Sequence, residues 1–213
     1  GEAEWEAPFG KGRPGWHTEC AAMILELFTE AKPRIIRGLA SVPIIDIHTG
    51  GIDLIFPHHE NEIAQALAAT GKPLARFWLH SHFVNINNEK MSKSLNNFFT
   101  LNDLKKDNID PLAYRYLVLN AHYQTDINYT SESIQAAQNA YNKLSQAMTN
   151  LSEAKPRIGG GLASVSIKWQ NLFKEAIEDN LNTAKALGVL WSVINDKELA
   201  EDEKFATILD FDK

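Results

Sequence analysis

The chain has 213 residues, of which 44% are hydrophobic, a size and composition typical of a globular protein with a substantial core. No apolar run reaches the length of a membrane span, and the opening residues lack the regions of a signal peptide, so a cytoplasmic protein is expected. The net charge of -6 does not by itself indicate a nucleic-acid partner. The single cysteine, Cys20, has no second cysteine in the sequence to pair with, so its possible roles are those of a buried thiol, a metal ligand or a nucleophile.

Strand and helix patterns alternate in the first hundred residues. The first fifteen residues, rich in Gly, Pro and Glu, are expected to form a loop. The segment 17–29 then suits a short helix, and the β-branched run 42–48 suits a strand that ends at a glycine turn. Pro57 fits a first helical turn, and good helix formers continue over 58–69. Because 76–86 reads as a second strand, we expect an α/β fold with a parallel sheet.

Beyond about residue 100 the pattern changes to helices with recognisable starts. Thr100 and Asp103 are typical of a capping box, and Asp110 is an N-cap followed by Pro111. The second half is therefore predicted to be a helical bundle. Its longer expected helices lie at 131–152, 166–178, 184–196 and from 199 onward.

One segment, 31–42, recurs almost unchanged at 154–165, with glycines at the two positions that differ. Two copies so far apart in the chain do not stack as the neighbours of a solenoid would. We interpret them as surface insertions or as a peculiarity of this sequence, and the pattern provides no physical account of them.

The run Phe-Pro-His-His-Glu-Asn-Glu at 56–62 carries the first chemical signal. In a helix, His58 and Glu62 are one turn apart and project from the same face. Imidazole and carboxylate both suit Zn²⁺, and the thiolate of Cys20 would be a softer third ligand. Taken alone, the spacing is more often a His–Glu surface pair, and His59 is expected to point elsewhere.

The run Lys-Met-Ser-Lys-Ser at 90–94 follows a predicted strand. Two flexible ammonium groups on a loop beside a sheet suit a polyphosphate leaving group, although such a pair more often belongs to a plain charged loop. Because the lysines repel each other and the run has little apolar anchorage, we also expect this loop to be mobile.

Gly50, Gly51 and Asp53 follow the first predicted strand. Glycines there let a ribose or an adenine approach the backbone, with Asp53 accepting hydrogen bonds, but a glycine pair after a strand usually forms only a turn. Trp16, close before Cys20, is by itself most simply a core residue.

Taken together, three segments closely resemble the cysteinyl-tRNA synthetase family and occur in its order: GRPGWHTECAAM, DIHTGGIDLIFPHHENEIAQ and EKMSKSLNNFFT. The likeness continues through LAYRYLVLNAHYQTDINYT. It implies the second half of a Rossmann-type class I synthetase catalytic domain in 1–98, with a zinc site and the KMSKS loop, then a stem-contact region and helical bundle in 99–213. It also implies a preceding half with the HIGH motif and a first zinc cysteine, and a following anticodon-binding domain, so the chain alone is expected to be inactive.

The resemblance implies an aminoacyl-tRNA ligase. The carboxylate of L-cysteine attacks the α-phosphate of ATP, supplied with Mg²⁺, and the cysteinyl group then passes to tRNA(Cys). Zinc binds the substrate thiolate, which separates cysteine from the similarly sized serine. The implied roles are zinc binding by Cys20, His58 and Glu62; lining of the cysteine pocket by Trp16 and His48; contact with adenosine by Gly50, Gly51 and Asp53; and contact with ATP phosphates by Lys93, supported by Lys90.

Two alternatives to a tRNA ligase remain open: an amide ligase that joins cysteine to an amino sugar on the same scaffold, and a non-catalytic zinc-binding fragment. One departure from the family pattern lies in the KMSKS loop, where Asn96 stands in place of the usual glycine. Asparagine also adopts left-handed conformations, so the loop can retain its shape. A monomer is expected.

Overall fold

The computed structural model describes residues 4–8, 10–29, 43–92, 95, 97–153 and 164–212. The first repeated segment lies outside the described residues, and so does nearly all of the second. By Cα packing the chain divides into two units, Gly1–Ser81 and His82–Lys213. The domain boundary between residues 98 and 99 that the sequence analysis expects stays a prediction.

The first unit contains a strand–helix–strand arrangement, as predicted. Strands β3 and β4 pair in parallel, from Ile45 beside Ala75 to Gly51 beside Ser81, and α2 connects them and packs on α1. Helix α2 ends at Gly71, whose φ of 70° is the left-handed conformation that glycine adopts without strain. The elements of this unit are β1 (Trp5–Ala7), β2 (Gly10–Gly12), α1 (Trp16–Thr29), β3 (Ile45–Gly51), α2 (Glu60–Thr70) and β4 (Ala75–Ser81).

Three details of this unit differ from the sequence expectations. Strand β3 starts at Ile45 and runs through both glycines to Gly51, because its pairing with β4 continues that far. Pro57 does not open a regular helix, since the Phe56–Pro57 peptide is cis within the irregular turn Ile55–His59 that leads into α2. The opening residues, expected to form a loop, form the antiparallel hairpin of β1 and β2.

The second unit begins where the predicted strand 76–86 divides in two. The backbone N–H of His82 donates to the carbonyl of Tyr123 at 2.8 Å, and the chain passes from β4 into a different sheet. The elements of this unit are β5 (Val84–Ile86), β6 (Glu89–Lys90), α3 (Leu101–Lys106), α4 (Pro111–Leu119), β7 (Ile127–Tyr129), α5 (Ser131–Glu153), α6 (Ile167–Glu178), α7 (Thr183–Asn195) and α8 (Glu201–Asp210).

The small sheet of the second unit was not expected from the sequence. Strand β5 pairs antiparallel with β6 and parallel with β7. The β5–β6 turn consists of Asn87 and Asn88, with φ of 50° and 67°, the left-handed values that tight hairpin turns require. Asn88 and Asn128 exchange two hydrogen bonds, one from the Asn88 backbone N–H and one from the Asn128 amide, each 2.8 Å long. The hairpin is thereby tied to β7.

The helices of the second unit confirm the predicted starts. Thr100 and Asp103 form both hydrogen bonds of a capping box, the Asp110 carboxylate accepts from the N–H of Leu112, and Asn182 caps α7. No helix in the described ranges is long and apolar enough to span a membrane. The core of the bundle contains Leu151, Val193 and Ile208, with Met148, Trp169, Leu190, Ile194, Leu199, Phe205 and Phe211 packed around them.

Candidate functional site

Three side chains with metal-binding atoms meet in the first unit. Cys20 comes from α1, His58 from the irregular turn before α2, and Glu62 from the first turn of α2. One ligand atom from each lies within 4.8 Å of the others. His58 and Glu62 are 4% and 0% exposed, and Cys20 is half-buried. The structure therefore brings together the three residues that the sequence analysis grouped, and their role as zinc ligands stays a prediction.

The two carboxylate oxygens of Glu62 have different surroundings. Oε2 accepts a hydrogen bond from Nε2 of His48 at 2.7 Å. Oε1 is buried and has no hydrogen-bond partner among the described residues, although Nε2 of His58 lies 3.2 Å away, because their geometry is not that of a hydrogen bond. A buried carboxylate oxygen without a partner is costly, and it calls for an explanation such as a bound ion.

The thiol of Cys20 lies beside this carboxylate. Burial raises the pKa of Cys20, and the neighbouring Glu62 carboxylate raises it further. Without a cation, the thiol is therefore protonated at neutral pH. Thiolate, imidazole and carboxylate are all zinc ligands, and a divalent cation would offset the repulsion between a thiolate and Glu62. The donor set and the unpartnered oxygen thus fit a zinc ion.

A second group of histidines packs around the same carboxylate. His59, expected to point elsewhere, is 3% exposed, and its Nδ1 lies 2.8 Å from Nε2 of His80. The ring of His59 also contacts His48 and Trp78. Burial, and then the neighbouring His48, lower the pKa of His59 to about 4, so it is neutral at physiological pH. The expectation for His59 was wrong because His59 has helical backbone angles and lies three residues before Glu62, a spacing that brings side chains together on a helix just as the four-residue spacing of His58 does.

Trp16 and His17 close the other side of His58. The Trp16 ring stacks on His58 with centroids 4.3 Å apart, and Nδ1 of His17 lies 2.7 Å from Nδ1 of His58. Trp16 itself is 57% exposed, so it is not the core residue that its type alone suggested. Sequence reasoning gave no role to His17 or to His80. No local sequence signal indicates His80, because its position beside Gly50 follows from the parallel register of β3 and β4.

The glycines after the first strand approach side chains of the chain itself. A Cβ added to Gly50 would lie 2.8 Å from the His59 ring, and one on Gly51 would lie 2.5 Å from the Asp53 carboxylate. Asp53 is exposed in the short 3₁₀ turn that follows β3. These contacts account for glycine at both positions even when no ligand is bound. That Gly50, Gly51 and Asp53 lie beside adenosine stays a prediction.

The predicted phosphate-binding lysines belong to the second unit. Lys93 lies outside the described residues, as do Ser94 and Asn96. Lys90 ends strand β6, and its ammonium nitrogen is 4.5 Å from the centroid of the Phe83 ring. The expected lack of apolar anchorage therefore does not hold for Lys90.

Comparisons with known proteins agree on one family. Residues 1–139 match the family described as tRNA synthetases class I (C) catalytic domain. A cysteine–tRNA ligase of Trichodesmium erythraeum is 44% identical over 204 residues, covering 92% of this chain and 39% of that protein. One from Thermosynechococcus vestitus is 47% identical over 190 residues, covering 89% and 36%. The chain thus spans roughly two fifths of the length of the curated relatives that it matches.

A solved structure shows the same fold. It is the crystal structure of the ternary complex of Agrobacterium radiobacter K84 agnB2 LeuRS-tRNA-LeuAMS, with a TM-score of 0.63 and 17% sequence identity. The match covers 98% of this chain and 31% of that one. At this level of identity the likeness concerns the fold alone, and it confirms the expected class I synthetase architecture.

Proposed function

We propose, from the premise that this chain belongs to the class I (C) family of tRNA synthetase catalytic domains, that it is part of a cysteine–tRNA ligase. Such an enzyme activates L-cysteine with ATP and transfers the cysteinyl group to tRNA(Cys). The observation that carries the proposal is the meeting of Cys20, His58 and Glu62 around a buried carboxylate oxygen that accepts no hydrogen bond from the described residues. A cytoplasmic monomer is part of the same proposal.

The metal group, which consists of Cys20, His58 and Glu62, would select cysteine. Cys20, His58 and Glu62 would hold a zinc ion, whose soft Lewis-acid character favours a thiolate over a hydroxyl. His48 fixes the Glu62 carboxylate by donating to Oε2, which leaves Oε1 beside the His58 ring. Shape alone rejects an isostere poorly, so a site that separates cysteine from serine benefits from a chemical difference of this kind.

Other residues would orient the substrates. Trp16, exposed and stacked on His58, and His48 would line the pocket for the cysteine side chain. Gly50, Gly51 and Asp53 would lie beside adenosine. A carboxylate oxygen of cysteine attacks the α-phosphorus of ATP, the bond from that phosphorus to the bridging oxygen breaks, and pyrophosphate leaves. A ribose hydroxyl of the terminal tRNA nucleotide then attacks the cysteinyl carbonyl carbon, and AMP leaves.

Lys93, with support from Lys90, would stabilise the charge on the departing pyrophosphate. This charge develops in the transition state, so the loss of a lysine there should lower the rate more than it weakens cysteine binding. In a full-length enzyme that carries this chain, we expect Lys93→Ala to slow adenylate formation about a hundredfold, by analogy with the loss of one oxyanion donor. Cysteine affinity should remain near that of the unsubstituted enzyme, because a zinc ion held by Cys20, His58 and Glu62 would bind the substrate thiolate without help from the lysine.

Cysteine-dependent exchange of pyrophosphate into ATP measures both quantities. If Lys93→Ala exchanged pyrophosphate at the normal rate but bound cysteine poorly, the roles assigned to Lys93 and to the metal group would be wrong. Absence of exchange in the unsubstituted enzyme, with tRNA present, would contradict the proposed function itself.

The second candidate is a ligase that forms an amide between cysteine and an amino sugar. It would share cysteine activation and differ in the acceptor. The helices that follow Tyr129 favour the tRNA ligase, because the sequence likeness to tRNA ligases extends over that region of the chain. Incubation of the activated enzyme with tRNA(Cys) or with an amino sugar separates the two, since only one acceptor should take up the labelled cysteinyl group.

A further inference from the structure

The polypeptide that leads into the KMSKS run is held firmly as far as Lys90. Lys90 pairs with Asn85 in the β5–β6 hairpin, and the Asn88–Asn128 hydrogen bonds tie this hairpin to β7. The ladder ends at Lys90, the last residue of β6. From there on, strand pairing no longer fixes the backbone.

The side chain of Asn97 forms hydrogen bonds with the backbone where the strand pairing ends. Its Oδ1 accepts a hydrogen bond from the backbone N–H of Ser92 at 2.8 Å, and its Nδ2 donates to the carbonyl of Lys90 at 3.2 Å. One acceptor and one donor on the same amide group thus serve the backbone as a partner strand would. The hydroxyl oxygen of Ser92 in turn accepts from the N–H of Leu95 at 3.2 Å.

The side chain of Lys90 is directed by a separate contact. Its ammonium group lies over the Phe83 ring, at a distance where attraction between a cation and an aromatic ring is effective. Phe83 comes directly before β5, and its carbonyl accepts from the N–H of Ile127 in β7 at 2.9 Å, so its backbone is held at the end of the same small sheet. The Asn97 amide and the Phe83 ring therefore hold the backbone and the charge of Lys90 independently.

We propose that Asn97 is a positioning residue for the start of the KMSKS run, which keeps the backbone from Lys90 to Ser92 in the conformation that aims the charge of Lys90 at the phosphates of ATP. The proposal rests on the function proposed above. Asn97 acts through the backbone and is not assigned any contact with substrate. Because the precise placement of a charge acts mainly on the transition state, its loss should appear in kcat more than in the KM for cysteine.

Steady-state pyrophosphate exchange by the full-length enzyme tests the kinetic part. For Asn97→Ala we expect kcat to fall about tenfold, because the free energy lost with two hydrogen bonds of modest net strength corresponds to a rate change of this order. The KM for cysteine should change by less than about twofold. The matched control is Asn102→Ala, which removes an exposed amide from the neighbouring helix α3. It should behave as the unsubstituted enzyme does.

Amide hydrogen exchange on this chain tests the structural part without substrate. In Asn97→Ala the Ser92 amide should lose its protection, whereas in Asn97→Asp it should keep it, because a carboxylate oxygen can still accept from Ser92. Unchanged protection in α5 of each variant shows that the unit remains folded. Ser92 protection that is the same in all three proteins would overturn the proposal, as would normal kcat in Asn97→Ala. If the unsubstituted enzyme shows no cysteine-dependent exchange, the proposed function fails first and the positioning role falls with it.

Discussion

Gly50 is the residue at which strand β3 comes closest to the histidines around Glu62. A methyl group there would lie 2.8 Å from Cε1 of His59 and 2.9 Å from Cδ1 of Leu54. We expect Gly50→Ala to lower the free energy of unfolding of the first unit by about 1–3 kcal/mol, the usual cost of overpacking. Hydrogen exchange of the β3 and α2 amides measures that free energy for this unit separately.

Gly188 provides the control for Gly50. It lies inside helix α7, and a methyl group added there would meet no described atom within 4 Å. Gly188→Ala should therefore stabilise its own unit by about 0.5–1 kcal/mol through helix propensity alone. A Gly50→Ala protein as stable as the unsubstituted chain would show that the His59 ring can move aside at no cost.

The same residues show which part of the site could be predicted from the sequence. The one-turn spacing of His58 and Glu62 is local, so the order of residues alone indicates a shared face. The grouping with Cys20 rested on the chemistry of its thiolate and on the family resemblance, because two residues on different helices have no fixed sequence spacing. His59 and His80 approach each other only through the irregular turn and the parallel pairing of β3 with β4. Neither contact has a periodic signature.

Among the elements, the start of α3 is specified by side chains on both sides of the helix boundary. Thr100 accepts from the N–H of Asp103, and the Asp103 carboxylate accepts from the N–H of Thr100. Thr100→Ala removes one half of this box and should lower the free energy of unfolding of the second unit by about 1 kcal/mol. Urea denaturation at neutral pH measures the change.

Thr149→Ala is the matched control in the same unit. The Thr149 hydroxyl donates to the Ser145 carbonyl within α5, a contact that contributes little to helix stability, so the change should stay within about 0.5 kcal/mol. Equal effects of the two substitutions would refute the capping role of Thr100.

The pH dependence of the box follows from Asp103. Hydrogen bonds from Lys106, and then from Thr100, hold the pKa of Asp103 well below its usual value. A carboxylate with a lowered folded-state pKa contributes fully above its ordinary pKa, and its contribution is lost as the pH falls below that value. The difference between Thr100→Ala and the unsubstituted chain should therefore shrink in acid.

Helices of this chain were easier to predict than strands, for a physical reason. The caps at Thr100, Asp110 and Asn182 are made by residues within a few positions of the helix that they start, so composition reveals them. Strands β5, β6 and β7 are each only two or three residues long, and β5 pairs with β7 across some forty intervening residues. The Asn87–Asn88 pair was the available local sign of the hairpin.

At the scale of the whole molecule, all three residues of the metal group lie within Gly1–Ser81. An ion that binds only the folded unit stabilises that unit in proportion to the logarithm of the free ion concentration relative to its Kd. We expect added Zn²⁺ to slow hydrogen exchange in α1, β3 and α2 about a hundredfold at a hundred times the Kd, while exchange in α5 to α8 stays unchanged. A chelator should reverse the effect.

Cys20→Ser is the control for this experiment, since it removes the softest ligand and leaves a side chain of similar size. It should abolish most of the protection that Zn²⁺ confers at the same concentration. Equal protection by Zn²⁺ of both units, or protection that survives Cys20→Ser, would mean that the ion binds somewhere other than the predicted group.

The lone thiol of Cys20 also determines how the chain tolerates oxidants and alkylating reagents. Thiolates, not thiols, are the reactive species, and the raised pKa of Cys20 leaves little thiolate at neutral pH in the metal-free chain. Iodoacetamide should consequently modify it slowly, and air oxidation should crosslink few pairs of chains. Because Cys20 is the one thiol of the sequence, an alkylation specific for thiols can occur only there, and the mass of the intact protein records how accessible this thiol was during the reaction.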